Sequence, residues 1–204
     1  YPRDVFYNLM NVVGTHDTAR ALTLLGVTEN EWKMDRNGRA HYQLPPDRLE
    51  IALRRLRMAA VIQFTMPGSP TIYYGDEAGQ YGSSDPDCRR TYPWGSEDKD
   101  LIAFYRKVIG VRNDHKALFA HGDVNTLKAD GDIYAFVRTA VDGSGQAAIV
   151  ALNRGAAKTV VLDAGQFADG AVFTDQISGV SAAVSGGRLV LDLGENQGMM
   201  LLKD

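Results

Sequence analysis

Residues 9–20 read LMNVVGTHDTAR. The apolar run Leu9–Val13 ends at Gly14, as is typical of a short buried strand. His16 and Asp17 follow directly, and in parallel α/β architectures ligand chemistry lies at the carboxyl ends of the strands. The stretch therefore predicts a strand of a parallel sheet with two candidate functional side chains at its end. A second interpretation makes Asp17 the cap of a following helix and His16 an ordinary loop residue.

A second stretch, GSPTIYYGDEAG at residues 68–79, has the same form. Pro70–Tyr74 indicates another short buried strand, closed by Gly75, and the carboxylates of Asp76 and Glu77 follow. Neighbouring carboxylates need not converge, so they make a weak general acid/base pair. The alternative is that one of them anchors the loop.

Two amphipathic helices accompany these strands. The pattern predicts one over 48–66 and one over 98–111. Asp47 is expected to cap the first, and Pro67-Gly68 to end it. Alternating buried strands and helices favour a parallel sheet covered by helices.

The loop at 84–94, SDPDCRRTYPW, mixes carboxylates, guanidiniums and aromatic rings. Sugars are bound by such sets, because planar polar groups bond hydroxyls and rings stack on apolar sugar faces. A solvated loop pinned by Asp–Arg pairs is the alternative. Cys88 is expected to be a buried or half-buried thiol.

Composition changes near residue 117, after which the chain is acidic, rich in Gly and poor in aromatic residues. The second part has short strands separated by turn signals such as Asp130-Gly131, which predicts a small antiparallel β-sandwich able to bury its own core. We therefore divide the chain into 1–117 and 118–204. The strands are predicted at 133–139, 147–152, 159–162, 188–193 and 199–202.

Composition and motifs exclude several classes of protein. With 22 Lys+Arg against 25 Asp+Glu, no basic surplus points to nucleic acid. The apolar runs are too short to span a bilayer, and one Cys excludes a disulfide framework and favours a cytoplasmic compartment. No phosphate-binding loop, G-x-S-x-G elbow, oxygen-rich calcium loop or zinc spacing is present, so no cofactor is predicted. The four histidines are scattered along the chain: His16, His41, His115 and His121. Of these, His115 and His121 are expected at the junction of the two parts.

Together these segments resemble the α-amylase superfamily, glycoside hydrolase family 13. VVGTHDTAR is similar to the family's motif after barrel strand 7, and GSPTIYYGDEAG to its strand 8 segment. DPDCRR followed by Pro-Trp resembles the cyclomaltodextrinase, neopullulanase and maltogenic amylase branch, although Tyr92 stands where that branch usually has Met.

The resemblance implies a C-terminal fragment of a (β/α)8 barrel, holding strands 7 and 8 with their helices over 1–117. It implies that 118–204 is the C-terminal β-sandwich. The implied chemistry is retaining hydrolysis of α-1,4 or α-1,6 bonds in α-glucan oligosaccharides, for which the nucleophile and the acid/base stand after strands 4 and 5.

The resemblance also implies roles for four residues. Asp17 corresponds to the third carboxylate, which bonds sugar hydroxyls and stabilises the oxocarbenium-like transition state, and His16 assists it. Asp85 and Arg89 correspond to residues that hold the sugars on the non-reducing side of the cleaved bond.

No segment matches the family's nucleophile or acid/base strand, and the chain starts at Tyr1. We therefore expect the C-terminal portion of a longer enzyme, inactive alone, whose 1–117 part needs the missing barrel portion or a second copy of itself. The alternative is a non-catalytic module for glucan binding or assembly. Residues 27–46 are expected to form an inserted surface loop in which Trp32, His41 and Tyr42 could line a sugar subsite.

Overall fold

The computed structural model describes residues 1–28 and 33–204. The first part contains helices α1 (Arg3–Phe6), α2 (Ala21–Gly26), α3 (Arg36–His41), α4 (Pro46–Thr65) and α5 (Lys99–Asp114) with strands β1 (Met10–Val12) and β2 (Ser69–Thr71). A π-helical turn at Ala117–His121 leads to the second part. There the strands are β3 (Asp123–Asp130), β4 (Ile133–Thr139), β5 (Ala147–Asn153), β6 (Lys158–Asp163), β7 (Val172–Asp175), β8 (Ser181–Ala183), β9 (Arg188–Leu193) and β10 (Gln197–Lys203).

Strands β1 and β2 are parallel, with Met10 opposite Ser69 and Val12 opposite Thr71. The prediction of parallel pairing is confirmed, but the prediction that β1 is buried is wrong. Met10 is 64% exposed and Val12 45% exposed, because β2 is the only strand of the described residues that pairs with β1.

Helix α4 begins two residues before the predicted start, and its cap is not Asp47. Pro45 is the N-cap and Pro46 occupies the first turn, since the fixed φ of proline suits the first helical position. Asp47 lies in the first turn, where a negative charge stabilises the helix end. Thr65 is the last helical residue, because Met66 precedes Pro67 and is pushed into an extended conformation.

The second part forms a six-stranded sheet in the order β3-β4-β5-β10-β7-β8 and a two-stranded antiparallel sheet of β6 and β9. Every adjacent pair in the larger sheet is antiparallel. The predicted strands are confirmed, but β3, β7 and β8 were not predicted. Their inner positions do not show the strict apolar alternation that identifies a strand from sequence.

The central strands β4, β5 and β10 of the six-stranded sheet are buried on both faces. One face packs on α4 and α5 in a core that includes Phe64, Tyr105, Phe136, Val150 and Met200. The other face packs on β6 and β9 through a second core that includes Val137, Ile149, Phe173, Leu189 and Leu191. The first core therefore joins residues from both sides of position 117.

Two arginines lie at this junction: Arg138 is fully buried and Arg112 is half-buried. The guanidinium of Arg138 donates to the carbonyl oxygens of Thr65, Leu118, Phe119, Gly122 and Asp123. Arg112 donates to the carbonyls of Phe64, Met66 and Gly68. As predicted, two histidines also lie here: His115 caps α5 and His121 ends the π-helical turn.

Candidate functional site

The carboxyl ends of β1 and β2 place two loops side by side. Residues 13–20 follow β1, and the long segment from residue 72 to α5 follows β2. Because the strands are parallel neighbours, both loops leave the same end of the sheet.

All four predicted site residues meet at Arg89. Its Nε lies 2.9 Å from Oδ1 of Asp85, and its Nη2 lies 3.4 Å from Oδ1 of Asp17. Nε2 of His16 lies 3.1 Å from the other carboxylate oxygen of Asp17. The side chains remain open to solvent, at 69% exposed for Asp17 and 47% for Arg89. Such a group of open charged donors and acceptors can form charge-assisted hydrogen bonds to hydroxyls.

The backbone of His16 ties the two loops together. Its carbonyl oxygen accepts from Arg89 Nε at 3.0 Å and from Cys88 Sγ at 3.1 Å. Cys88 is buried, as predicted. Asp17 does not cap a helix: α2 starts at Ala21 with Arg20 as its N-cap. The alternative interpretation of Asp17 as a helix cap is therefore wrong, because the chain makes a further turn before the helix begins.

Beneath this surface lies Arg20, which sequence analysis did not single out. Its side chain is fully buried and donates to the carbonyls of Tyr74 and Cys88, the latter at 2.7 Å. The nitrogen that bonds Tyr74, Nη1, also lies 3.3 Å from Oδ1 of Asp76. The guanidinium also stacks 4.2 Å from the centre of the Tyr73 ring, an arrangement typical of cation–π pairs. The one available signal was an arginine three residues after Asp17.

Asp76 is the loop anchor that one interpretation predicted. Burial raises the pKa of Asp76 to about 6, although the charge of Arg20 opposes that rise. Its Oδ2 lies where a side chain on Gly14 would be, 2.1 Å from an ideal Cβ, so a larger residue at position 14 would displace the Asp76 carboxylate. Glu77 is also structural, since its Oε2 accepts from the backbone of Gly75 at 2.9 Å.

The loop that carries Arg89 continues into an aromatic pair. The rings of Tyr92 and Trp94 lie 4.6 Å apart at 51°, and Trp94 is 81% exposed. Gln80 holds this segment by donating to the carbonyls of Arg90 and Thr91. The loop is thus fixed from below while its indole ring is open to solvent.

The stretch 27–46 is not only a loop, because it contains α3, which Asp35 caps by accepting from Gly38 at 2.7 Å. Trp32 lies outside the described residues. His41 is exposed, with Nδ1 3.0 Å from the carbonyl of Asn37 in its own helix. Tyr42 packs against the first core. Ser83 donates to the carbonyl of Arg39, so the neighbouring loop holds α3 in place.

The chain is similar to several glycan-degrading proteins. It is 44% identical to an amylopullulanase from Thermoanaerobacter thermohydrosulfuricus, over all of this chain and 14% of that protein. It is 33% identical to neopullulanase 2 from Thermoactinomyces vulgaris, over 98% of this chain and 30% of that protein. The chain belongs to the α-amylase superfamily, glycoside hydrolase family 13.

The fold agrees with this membership. An α-amylase from Anoxybacillus superposes on the whole chain with a TM-score of 0.78 at 23% identity, covering 39% of that structure. No family model matches the chain. The chain spans less than a third of the length of the two named relatives.

Other sites can be described briefly. Within residues 1–28 and 33–204, no group of three or more His, Cys, Asp or Glu side chains is placed to hold a metal ion. None of the helices in those ranges combines the length and the apolar character needed to cross a membrane.

Proposed function

We propose that this chain forms part of a retaining glycoside hydrolase acting on α-1,4 or α-1,6 bonds of α-glucan oligosaccharides. One observation carries the proposal: Asp17, His16, Asp85 and Arg89 meet at the carboxyl ends of two adjacent parallel strands. Two relatives whose names denote pullulan-degrading enzymes match nearly the whole chain.

Each of the four residues has a role in this proposal. Asp17 bonds hydroxyls of the sugar at the cleaved bond and stabilises the positive charge that develops there, assisted by His16. Asp85 and Arg89 hold sugars on the non-reducing side. The ion pair between Arg89 and Asp17 keeps the carboxylate directed at the site in the absence of sugar.

The proposal extends to the architecture. Strands β1 and β2 with their helices, in residues 1–117, are strands 7 and 8 of a (β/α)8 barrel. Residues 118–204 are its antiparallel β-sandwich. The nucleophile and the acid/base then come from segments outside these 204 residues, so the chain alone is inactive. The exposed side of β1, where Met10 is 64% exposed, supports a partner surface there: the rest of the barrel or a second copy.

The test is Asp17→Asn in an enzyme that joins this chain to the segments bearing the nucleophile and the acid/base. The amide keeps the size of the side chain but loses its charge, so kcat on maltotriose should fall by about 10²–10³-fold. Asp87→Asn is the matched control, because Asp87 lies in the same loop but takes part in none of the ion pairs among the described residues. A kcat close to wild type in Asp17→Asn would refute the assigned role.

A second candidate is a non-catalytic glucan-binding or assembly module, favoured by the solvent exposure of Trp94 in the loop that carries Arg89. Calorimetric titration of the 204-residue chain with maltoheptaose separates the two. Binding by the chain, together with an unchanged kcat in Asp17→Asn, would favour the module. A large loss of kcat would favour the hydrolase.

A further inference from the structure

The side chain of Arg20 connects three segments around the candidate site. It follows Asp17 by three positions, it bonds the carbonyl of Tyr74 shortly after β2, and it bonds the Arg89 loop at the Cys88 carbonyl. Its own backbone N–H donates to the carbonyl of Gly82 at 2.9 Å. One rigid guanidinium therefore sets the spacing of both loops that carry the candidate site.

The geometry around Arg20 is specific to arginine. A planar fork with several donors can reach two carbonyls and a carboxylate at once, whereas a lysine ammonium is a single compact charge. The ring of Tyr73 at 4.2 Å and the ring of Tyr74 at 4.6 Å also favour a flat cation. On the opposite side, Asp76 is held between Arg20 and the backbone of Gly14.

We propose that Arg20 is a positioning residue for Asp17, and that it acts with Asp76 to fix the distance between Asp17 and the loop of Asp85 and Arg89. The inference rests on the proposed function. It adds a buried layer to the site: Arg20 touches no sugar, and Asp17 acts on the sugar from a position that Arg20 sets.

The experiment measures kcat and KM on maltotriose for Arg20→Lys in the enzyme that contains this chain. Loss of the fork lets the loops separate, and a displacement of about 1 Å costs about 100-fold in kcat. KM should stay within about threefold, because a displaced Asp17 loses chiefly its interaction with the positive charge that develops in the transition state. Arg138→Lys is the matched control: Arg138 is equally buried and equally bonded to backbone carbonyls, but it lies at the junction with β3 and β4.

A double-mutant cycle with Asp17→Asn decides whether Arg20 acts through Asp17. If it does, Arg20→Lys causes little further loss of kcat in the Asp17→Asn background. Full additivity of the two losses overturns the inference, as does an Arg20→Lys kcat equal to that of Arg138→Lys. A wild-type kcat in Asp17→Asn alone overturns the proposed function and the inference with it.

If Arg20→Lys fails to fold, a pair of substitutions at Asp76 tests whether the orientation of Arg20 controls kcat. Asp76→Leu removes the acceptor that orients the guanidinium and is expected to lower kcat in the same way. Asp76→Asn keeps a carbonyl acceptor for Arg20 and is expected to restore most of the kcat. Equal kcat values in the two variants contradict the inference.

Discussion

The buried side chain of Asp76 makes the stability of this molecule depend on pH. Its side chain is 4% exposed, and burial raises its pKa to about 6 from 3.8. Arg20 lies in contact, Glu77 adds an unfavourable charge, and the buried Tyr105 hydroxyl also faces it. Between these two pKa values the folded chain binds a proton that the unfolded chain has released. The Asp76 contribution to stability is therefore full below about pH 4 and is lost as pH rises to 6.

Asp76→Asn should remove this dependence. The unfolding free energy of wild type minus that of the variant is expected to fall by at most about 3 kcal/mol from pH 4 to pH 6. Urea denaturation of the 204-residue chain at a series of pH values measures it. Asp87→Asn is the control and should leave the slope unchanged. If the unfolding free energy of wild type minus that of Asp76→Asn rises from pH 4 to pH 6, the pKa of Asp76 is not raised by burial.

Within the part of the chain that the structure describes, strand β1 has one unpaired edge, and exposed apolar side chains lie beside it. Met10 and Val12 are exposed, as is Ile62 nearby. A cavity of about 450 Å³ beside Met10, Val12 and Ile62 is lined by residues of α1, β1 and α4 and by residues that directly follow β1 and α4, among them Phe6, Val13, Ala59 and Met66. An unpaired strand edge next to apolar side chains is a surface that recruits another chain.

We therefore expect the 204-residue chain to self-associate in solution. Replacing both Met10 and Val12 by Lys should shift it toward monomer without a large loss of stability, because both side chains are already exposed. Sedimentation velocity over a range of concentrations is the measurement. Val190→Lys is the control, since Val190 is also exposed but lies on β9. A well-folded wild-type monomer at every concentration would show that this edge needs no partner.

The whole molecule is joined across residue 117 by a common core. Phe136, Val150 and Met200 of the second part pack with Leu56 and Phe64 of α4. Arg138 adds bonds to carbonyls from α4, the π-helical turn and β3. Burial lowers the pKa of Arg138 to about 10. The guanidinium therefore remains charged at neutral pH and keeps its hydrogen bonds to these carbonyls.

This arrangement predicts one cooperative unfolding transition for both parts. Arg138→Met should leave several buried carbonyls without donors and lower the unfolding free energy by about 3–5 kcal/mol. Far-UV circular dichroism and tyrosine fluorescence in the same urea titration give the test, because coincident curves indicate a single transition. Two separate transitions, or a stable isolated 118–204 fragment, would show that the second part folds by itself.

The local sequence was sufficient to predict the helices and strands that have a clear pattern of apolar residues. The pattern around Leu56 predicted α4, the run at 147–152 predicted β5, and the position of His16 and Asp17 after a strand placed them at a candidate site. Short strands such as β8 and the helix α3 were missed, because three to six residues carry too few side chains to show a period.

The sequence by itself determined which side chains follow the two parallel strands, and the resemblance carried by those motifs determined the family. Only the tertiary structure decided that Arg89 reaches Asp17 across 72 positions of chain, that Arg20 and Asp76 form a buried layer beneath them, and that one core spans residue 117. The physical reason is that charge pairing and burial depend on distances between segments remote in sequence, whereas strand and helix patterns depend on near neighbours.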